Sequence, residues 1–387
     1  MLPQYLFGIA LYLPLLGISL PALAAPYTPV SDAAVLEQLP WSARSTVGDD
    51  IRLLQEGLAQ RPADATLAGA LARRYIELAR KTSDPRYLGY AQAALAPWWE
   101  QVQPPAAIQL LRATLRQSNH EFEAALADLA VLLQHNPYDA QARLTRAAIW
   151  QVRGDYLQAK RDCAYLSSAL LAAACLAPVL SVNGEADRAY TLLQPHVTTS
   201  SEPWLTGLLA EIALRRGALQ VAERHFRQAL ATTAPDAYLL AAYSDFLLDQ
   251  KRPHEVIELL RDQQRADGLL LRLALAQQQV DPAQAARHID TLRTRFAAAH
   301  ARGDDRHLRE EGRFTLALLQ EPHTALTLAL HNWKVQRETA DARLVLEAAQ
   351  AANQPAAAQP VLDWLTQTKL DDPWITPLAQ QLRDTRR

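Results

Sequence analysis

The stretch Gly217-Ala-Leu-Gln-Val-Ala222-Glu-Arg-His-Phe226-Arg-Gln-Ala229, followed by Pro235, decides how the rest of the chain is read. Each residue in it has a physical task. A glycine can take the left-handed conformation that closes one helix, and a proline stops the next because it lacks an N–H and clashes with the preceding turn. Between them Ala222 and Ala229 are small enough to let two helix backbones approach, and Phe226 fills the space beside them. The spacing therefore predicts a helix ending near Gly217 and a second, antiparallel helix running from there towards Pro235.

The same pattern recurs along the chain: at Ala125, Leu129, Leu132 and Pro137; at Ala147, Trp150, Gly154, Ala159, Cys163 and Leu166; and at Gly184, Ala189 and Leu193. One helical hairpin cannot bury its own apolar stripe, so hairpins repeated in sequence must stack on each other. In residue types and order this pattern resembles the tetratricopeptide repeat family. The resemblance implies an all-α, right-handed α-solenoid of antiparallel helix pairs, with first helices lining a concave groove that binds a protein or an extended peptide. Gly154 and Gly184 stand closer together than the family's usual interval of about 34 residues, so the repeats are irregular. Divergent copies are expected at Ala65 to Trp98, with Ala72 and Tyr75 in the first helix, and at Ala237 to Leu260, around the turn Lys251-Arg252-Pro253. Ala325 to Trp333 and Ala342 to Leu365 read as worn copies.

The organisation expected is a signal peptide over 1–24, a lead segment and first helix over 25–60, a divergent repeat with an aromatic cluster over 61–105, core repeats over 106–264, and degenerate helical repeats over 265–387. Leu6 to Leu23 carries no charge, and Ala22-Leu23-Ala24 supplies the small residues that signal peptidase accepts. Cleavage after Ala24 would leave a periplasmic or secreted chain with no cysteine at the new terminus for lipid attachment. The alternative is an uncleaved membrane anchor, because no Lys or Arg precedes Arg44 and the apolar run is long. A second uncharged run, Cys163 to Gly184, falls in register with the repeats and contains Ser167, Ser168, Ser181 and Asn183. It reads as buried core.

Composition narrows function by exclusion. The 387 residues are 49% apolar and 21% charged, with 39 basic residues scattered among 41 acidic ones, so no basic stripe marks a nucleic-acid partner. No phosphate-cradling, dinucleotide-binding or nucleophile-elbow motif occurs, and no cofactor is expected. His120-Glu121 and His254-Glu255 both lack the second histidine of a zinc-protease motif. His300 and His307 flank Asp304 and Asp305, but a Gly-Asp-Asp turn reads more simply as a solvated loop with a helix N-cap.

The remaining candidates concern pairing and binding. Cys163 and Cys175 are the only cysteines; in an exported protein they can form a disulfide, or they can be two small apolar core residues. Tyr87, Tyr90, Trp98 and Trp99 form the densest aromatic cluster. They either cap the open end of the array or anchor a partner, with Arg73, Arg74 and Arg80 adding a basic edge. Some tetratricopeptide proteins grip a C-terminal carboxylate through Lys, Asn and Arg on their first helices. The corresponding places here hold Leu110 and Thr114, then Leu144 and Ala148, so that clamp is absent. Gln117, Gln141 and Gln151 would share the groove face and make it mildly polar rather than charged. The expectation is a non-enzymatic scaffold for complex assembly in the cell envelope, or alternatively a structural part of a polysaccharide export or secretion machine.

Overall fold

The computed structural model describes residues 46–198, 202–231, 236–303 and 308–385. The expected signal peptide, most of the lead segment, Pro235, Asp304, Asp305 and His307 lie outside the described residues. The chain divides into two units, Met1–Asp50 and Ile51–Arg387. Of the first, the structure describes residues 46–50, the opening of α1 (Thr46–Gln60). All that follows concerns the second unit, in which every regular element among the described residues is helical.

Helical hairpins follow one another along the second unit. They are α2 (Ala65–Thr82) with α3 (Arg86–Ala94) and the short α4 (Ala96–Trp99); α5 (Ala106–Ser118) with α6 (Phe122–His135); α7 (Ala140–Val152) with α8 (Tyr156–Cys163); and α9 (Ala169–Ser181) with α10 (Ala186–Leu193). Then come α11 (Pro203–Arg215) with α12 (Leu219–Leu230), α13 (Ala237–Asp249) with α14 (Pro253–Leu260), α15 (Asp267–Val280) with α16 (Pro282–Ala301), and α17 (Leu308–Ala317) with α18 (Pro322–Val335). The unit ends with α19 (Thr339–Ala351), on which α20 (Gln359–Thr368) and α21 (Ile375–Asp384) pack. Each first helix packs on the first helix of the next hairpin, so the first helices form one continuous layer, and the second helices pack between their own first helix and the next one. The result is an α-solenoid of antiparallel helix pairs.

Local chemistry explains where the helices start and turn. Asp64, Asp139, Asp155, Ser168, Asp236 and Asp281 each accept backbone N–H bonds at a helix N-terminus, filling donors that have no partner inside the helix. The turn from first to second helix has a form that recurs in six of the hairpins. In these six turns a residue with positive φ follows the first helix: His120, Gly154, Gly184, Gly217, Lys251 or Asn353. The next N–H then reaches back to the helix in a Schellman closure, as from Glu121 to Arg116, Asp155 to Trp150, Glu185 to Leu180, Ala218 to Ala213, Arg252 to Leu247 and Gln354 to Ala349. Three of the six turns have glycine. The others place longer side chains in the same left-handed conformation.

The second-helix residues singled out by the repeat pattern lie where first and second helices meet. Ala125, Ala159, Ala189 and Ala222 are fully buried, and beside them Leu129, Cys163, Leu193 and Phe226 are buried to within 2%. The small residue sets the distance between helices and the large one fills it, so neither can change size without a cavity or a clash. The uncharged run from Cys163 to Gly184 is split between the end of α8, a loop, α9 and its closing turn. No described helix is long and apolar enough to cross a membrane.

A simple solenoid contacts only its nearest neighbours. This one also closes on itself: α2 packs on α13, and the C-terminal helices return to α7–α9. Tyr156, Ala159 and Val179 belong to the same apolar cluster as Trp333, Trp364, Leu365 and Ile375. At the turn edge, a Cβ on Gly184 would stand 2.7 Å from the Lys369 carbonyl, and one on Gly154 would meet the Arg337 and Trp364 side chains.

Candidate functional site

The inner face of the array is identified by ion pairs that skip over intervening helices. Asp245 on α13 accepts from Arg272 on α15 and from Arg313 on α17, both at 2.6 Å, and Asp249 on α13 accepts from both Nη atoms of Arg343 on α19 at 2.8 Å. Helices two and three repeats apart reach each other only across the inside of a curve. On α11 the same face carries Glu211, which accepts from the Tyr238 hydroxyl of α13 at 2.6 Å, and Arg215, which donates to Ser181 of α9 at 3.1 Å.

These charges are matched locally. At Asp245 burial favours the neutral acid, but the Arg272 and Arg313 guanidinium groups outweigh it and hold the carboxyl at about 2. Glu211 behaves in the opposite way: burial raises it, and Arg215 and the Tyr238 hydroxyl only partly compensate. Burial likewise raises Asp249 despite Arg343. The Glu211 carboxylate, then burial, push the Tyr238 hydroxyl far up. The Tyr238 side chain is still 64% exposed, so water enters the concavity while the surrounding protein weakens its screening.

From α5 to α9 the inner face has a different character. Leu110, Gln117, Leu144, Ala148, Gln151 and Leu171 are half-buried and Gln141 is exposed, with no charge among them. From α11 onward the inner face is instead a densely ion-paired surface. The cause is a change of residue type at equivalent places: Ala148 on α7 gives way to Glu211 on α11 and Asp245 on α13. At the border between the two halves, Trp204 at the start of α11 is 47% exposed.

The aromatic cluster separates into two groups. Tyr75, Tyr87 and Tyr90 meet with ring centroids 5.5 to 6.2 Å apart, whereas Trp98 is buried and the Arg116 guanidinium lies 5.5 Å from the Trp99 ring centroid. Tyr87 and Trp98, at 5% and 7% exposure, are core residues; α2 and α5 pack on the α3 helix that carries Tyr87. Tyr90 keeps 49% of its surface exposed. Cys163 and Cys175 are joined, with Cα atoms 5.5 Å apart, linking α8 to α9 inside an apolar cluster with Ala147 and Leu166.

The sequence reading missed two buried ion-pair clamps. Asp128 on α6 receives Arg112 at 2.6 Å and Arg116 at 2.8 Å from α5; Asp162 on α8 receives Arg143 and Arg146 from α7, both at 2.6 Å. Arg112 also donates to the carbonyls of Trp98, Trp99 and Gln101, and Arg143 to that of Pro137, tying each clamp to the loop before its first helix. Arg112 to Asp128 and Arg146 to Asp162 span the same 16 residues, a regularity that was present in the sequence.

Small residues at the helix crossing, a left-handed closing turn and a continuous layer of first helices together define the repeat. These repeats are similar to those of the tetratricopeptide type. The array is similar in structure to a tetratricopeptide repeat protein from Parabacteroides merdae, at 16% identity and TM-score 0.44, over 64% of this chain and 91% of that one. It is similar also to human IFIT1 in a dimer with m7Gppp-AAAA, at 15% identity and TM-score 0.44, over 84% and 87% of the two chains. A third likeness is to the APC/C hetero-tetramer Cut9–Hcn1, at 12% identity and TM-score 0.40; it covers 87% of this chain but 52% of that one, about half its length. No family model matches the sequence, and no curated protein matches it.

Proposed function

We propose that the chain is a non-enzymatic scaffold of the cell envelope that offers the inner face of α5–α11 to another protein or an extended peptide. One observation carries this reading: along α5–α11 the half-buried Leu110, Leu144, Leu171 and Leu208 lead to the exposed Trp204 on a continuous layer of first helices. Half-buried apolar side chains with an exposed aromatic at their border form the kind of surface whose burial supplies binding energy. From α13 onward the inner carboxylates already have partners within the chain, so displacing them would cost a docking peptide more than it gains. The uncharged N-terminal apolar run with its Ala22-Leu23-Ala24 cleavage site and the Cys163–Cys175 pair support an exported, oxidising setting.

The test is to place a photo-crosslinking amino acid at Leu144 or Trp204 in the full chain, expressed with its own N-terminal segment, and to illuminate whole cells. The expected result is one discrete heavier adduct from each site, lost when the crosslinker is moved to the outward-facing Arg224. Adducts of equal yield from all three positions, or none from the inner face, would reject the assignment. Intact mass under non-reducing conditions tests export: a chain that retains residues 1–24 and two free thiols contradicts the compartment proposed.

A further inference from the structure

Three side chains of the inner face are placed alike. Leu171, Trp204 and Tyr238 stand at the same place on α9, α11 and α13, counted back from the closing residues Gly184, Gly217 and Lys251. Leu171 is half-buried and the two aromatic rings are exposed, so the three form successive rungs on helices that touch one another. The last rung is pinned, because the Tyr238 hydroxyl donates to Oε1 of Glu211 at 2.6 Å. The other Glu211 oxygen stands 3.6 Å from Arg215, beyond a hydrogen bond, and Arg215 donates to Ser181. At Asp245, by contrast, both oxygens are taken by arginines. Glu211 thus keeps room for a further donor beside the exposed rings.

The spacing of the rungs selects the backbone that can follow them. Helices in contact lie about 8–10 Å apart. A polyproline II chain has three residues per turn and advances about 9 Å in that turn, so one side of it meets every rung. A β-strand returns to the same face every ~6.6 Å and falls out of step after one repeat. It would also find no strand edge to pair with, every regular element among the described residues being helical, whereas polyproline II needs no such pairing. An α-helix, about 10–12 Å across, is too thick for the slot, because the link between α18 and α19 bounds it: Glu338 stands close enough for its charge to raise both Glu211 and Tyr238. Charge selects what the chain carries. Arg309 is shared between Glu338 and Asp341, and Arg215 between Glu211 and Ser181, so the slot holds more carboxylate than guanidinium and favours a cationic side chain.

We propose that the partner of this face is an extended, proline-rich segment carrying arginine or lysine, its proline rings lying against Leu171, Trp204 and Tyr238 and its cation reaching Glu211. Proline costs little to order, since its ring already fixes φ near the polyproline value. An aromatic-lined groove is the surface on which such a chain packs without backbone pairing. This inference rests on the scaffold reading and names the chemistry of the partner at the α9–α13 end of the same face.

The probe is a fluorescein-labelled peptide of about ten prolines with one central arginine, added to the full, disulfide-intact chain and followed by fluorescence anisotropy. The expected result is saturable binding, weakened about tenfold by Trp204→Ala and left as it was by the outward-facing Arg224→Ala. Replacing the central arginine by glutamate should weaken binding by about tenfold, and Glu211→Gln should remove most of that preference. Should Trp204→Ala not accumulate as folded protein, Tyr238→Ala takes its place with the same expectation. Four results would overturn the inference: equal binding of a glycine–serine peptide of the same length, tighter binding of a helical alanine–arginine peptide, no preference for arginine over glutamate, or folded Trp204→Ala binding as the unaltered chain does. Absence of saturable binding alongside crosslinked adducts from Leu144 and Trp204 would overturn it too, and would leave the scaffold reading standing.

Discussion

The hairpins α5–α10 and α11–α14 follow one template and are held together by different forces. In the first group, buried carboxylates at Asp128 and Asp162 each bind two arginines, a disulfide ties α8 to α9, and the turns at Gly154 and Gly184 lie under the C-terminal helices. In the second, Phe226, Tyr243 and Phe246 stack with centroids 5.6 to 6.0 Å apart inside a large apolar cluster, and the turn at Gly217 is open. The hairpin is a local solution to helix packing, so it tolerates either kind of interior. What fills it depends on the partners that the rest of the array brings near.

The largest effects should come from removing the centre of each interior. Asp162→Ala leaves Arg143, 8% exposed, and Arg146 without their counter-charge, and should cost about 3–5 kcal/mol in denaturant unfolding. Phe226→Ala should cost a similar ~3–5 kcal/mol through the cavity it opens among the stacked rings. High salt separates the two interiors. Screening should not restore Phe226→Ala, and replacing Asp162, Arg143 and Arg146 together by apolar residues should recover much of the loss from Asp162→Ala. If Asp162→Ala costs under about 1 kcal/mol, the ion clamp is not what holds α7 to α8.

Next in size are the turns. Gly217→Ala should lose roughly 1 kcal/mol from left-handed strain alone, and Gly184→Ala about 2–3 kcal/mol because strain and the Lys369 carbonyl combine. Equal losses would mean that the covered and open edges are energetically alike. Reduction of Cys163–Cys175, or replacement of both by alanine, opens a short loop with a sequence separation of 12 and should lower stability by about 2–3 kcal/mol. Thermal unfolding with and without reductant measures that step.

The smallest expected effect is a pH dependence on the inner face. Asp245 is held at about 2, below an ordinary aspartate, so its contribution is complete above about pH 4 and is lost as pH falls towards 2. Since the pair is about one-third exposed, the loss should be only ~1 kcal/mol, and Asp245→Asn should remove that part of the acid sensitivity. Glu211 has the reverse sign: its carboxyl is raised, so ionising it costs stability that returns as pH falls through its own titration. A Glu211→Gln variant should therefore lose less stability at neutral pH than Asp245→Asn does. The opposite ranking would contradict the assignment of which carboxylate is compensated.

Much of the helix pairing was readable in the residues, because a small residue and a large one four positions later state the packing distance directly, as at Ala222 and Phe226. Register was easiest to follow where glycine marks the left-handed turn, at Gly154, Gly184 and Gly217. It faded where His120, Lys251 and Asn353 take that conformation, since nothing in those side chains announces a positive φ. The ion clamps were missed for a similar reason: arginine and aspartate on helices usually mean solvated faces, and only their repeated 16-residue spacing hinted at burial. For Tyr87 and Trp98 the residues left two readings open, because aromatic density in a sequence does not distinguish a packed cap from an exposed anchor; their burial favours the packed reading.

The amino-acid sequence by itself determined the hairpins, because N-caps, closing turns and the alternation of small and large apolar residues act within about one repeat of chain. Only the tertiary structure decided that the array closes, that Gly184 lies beneath Lys369, and that Asp245 meets Arg313 across the groove. Those contacts depend on the small rotation between successive repeats accumulating over many hairpins. No local pattern records that sum.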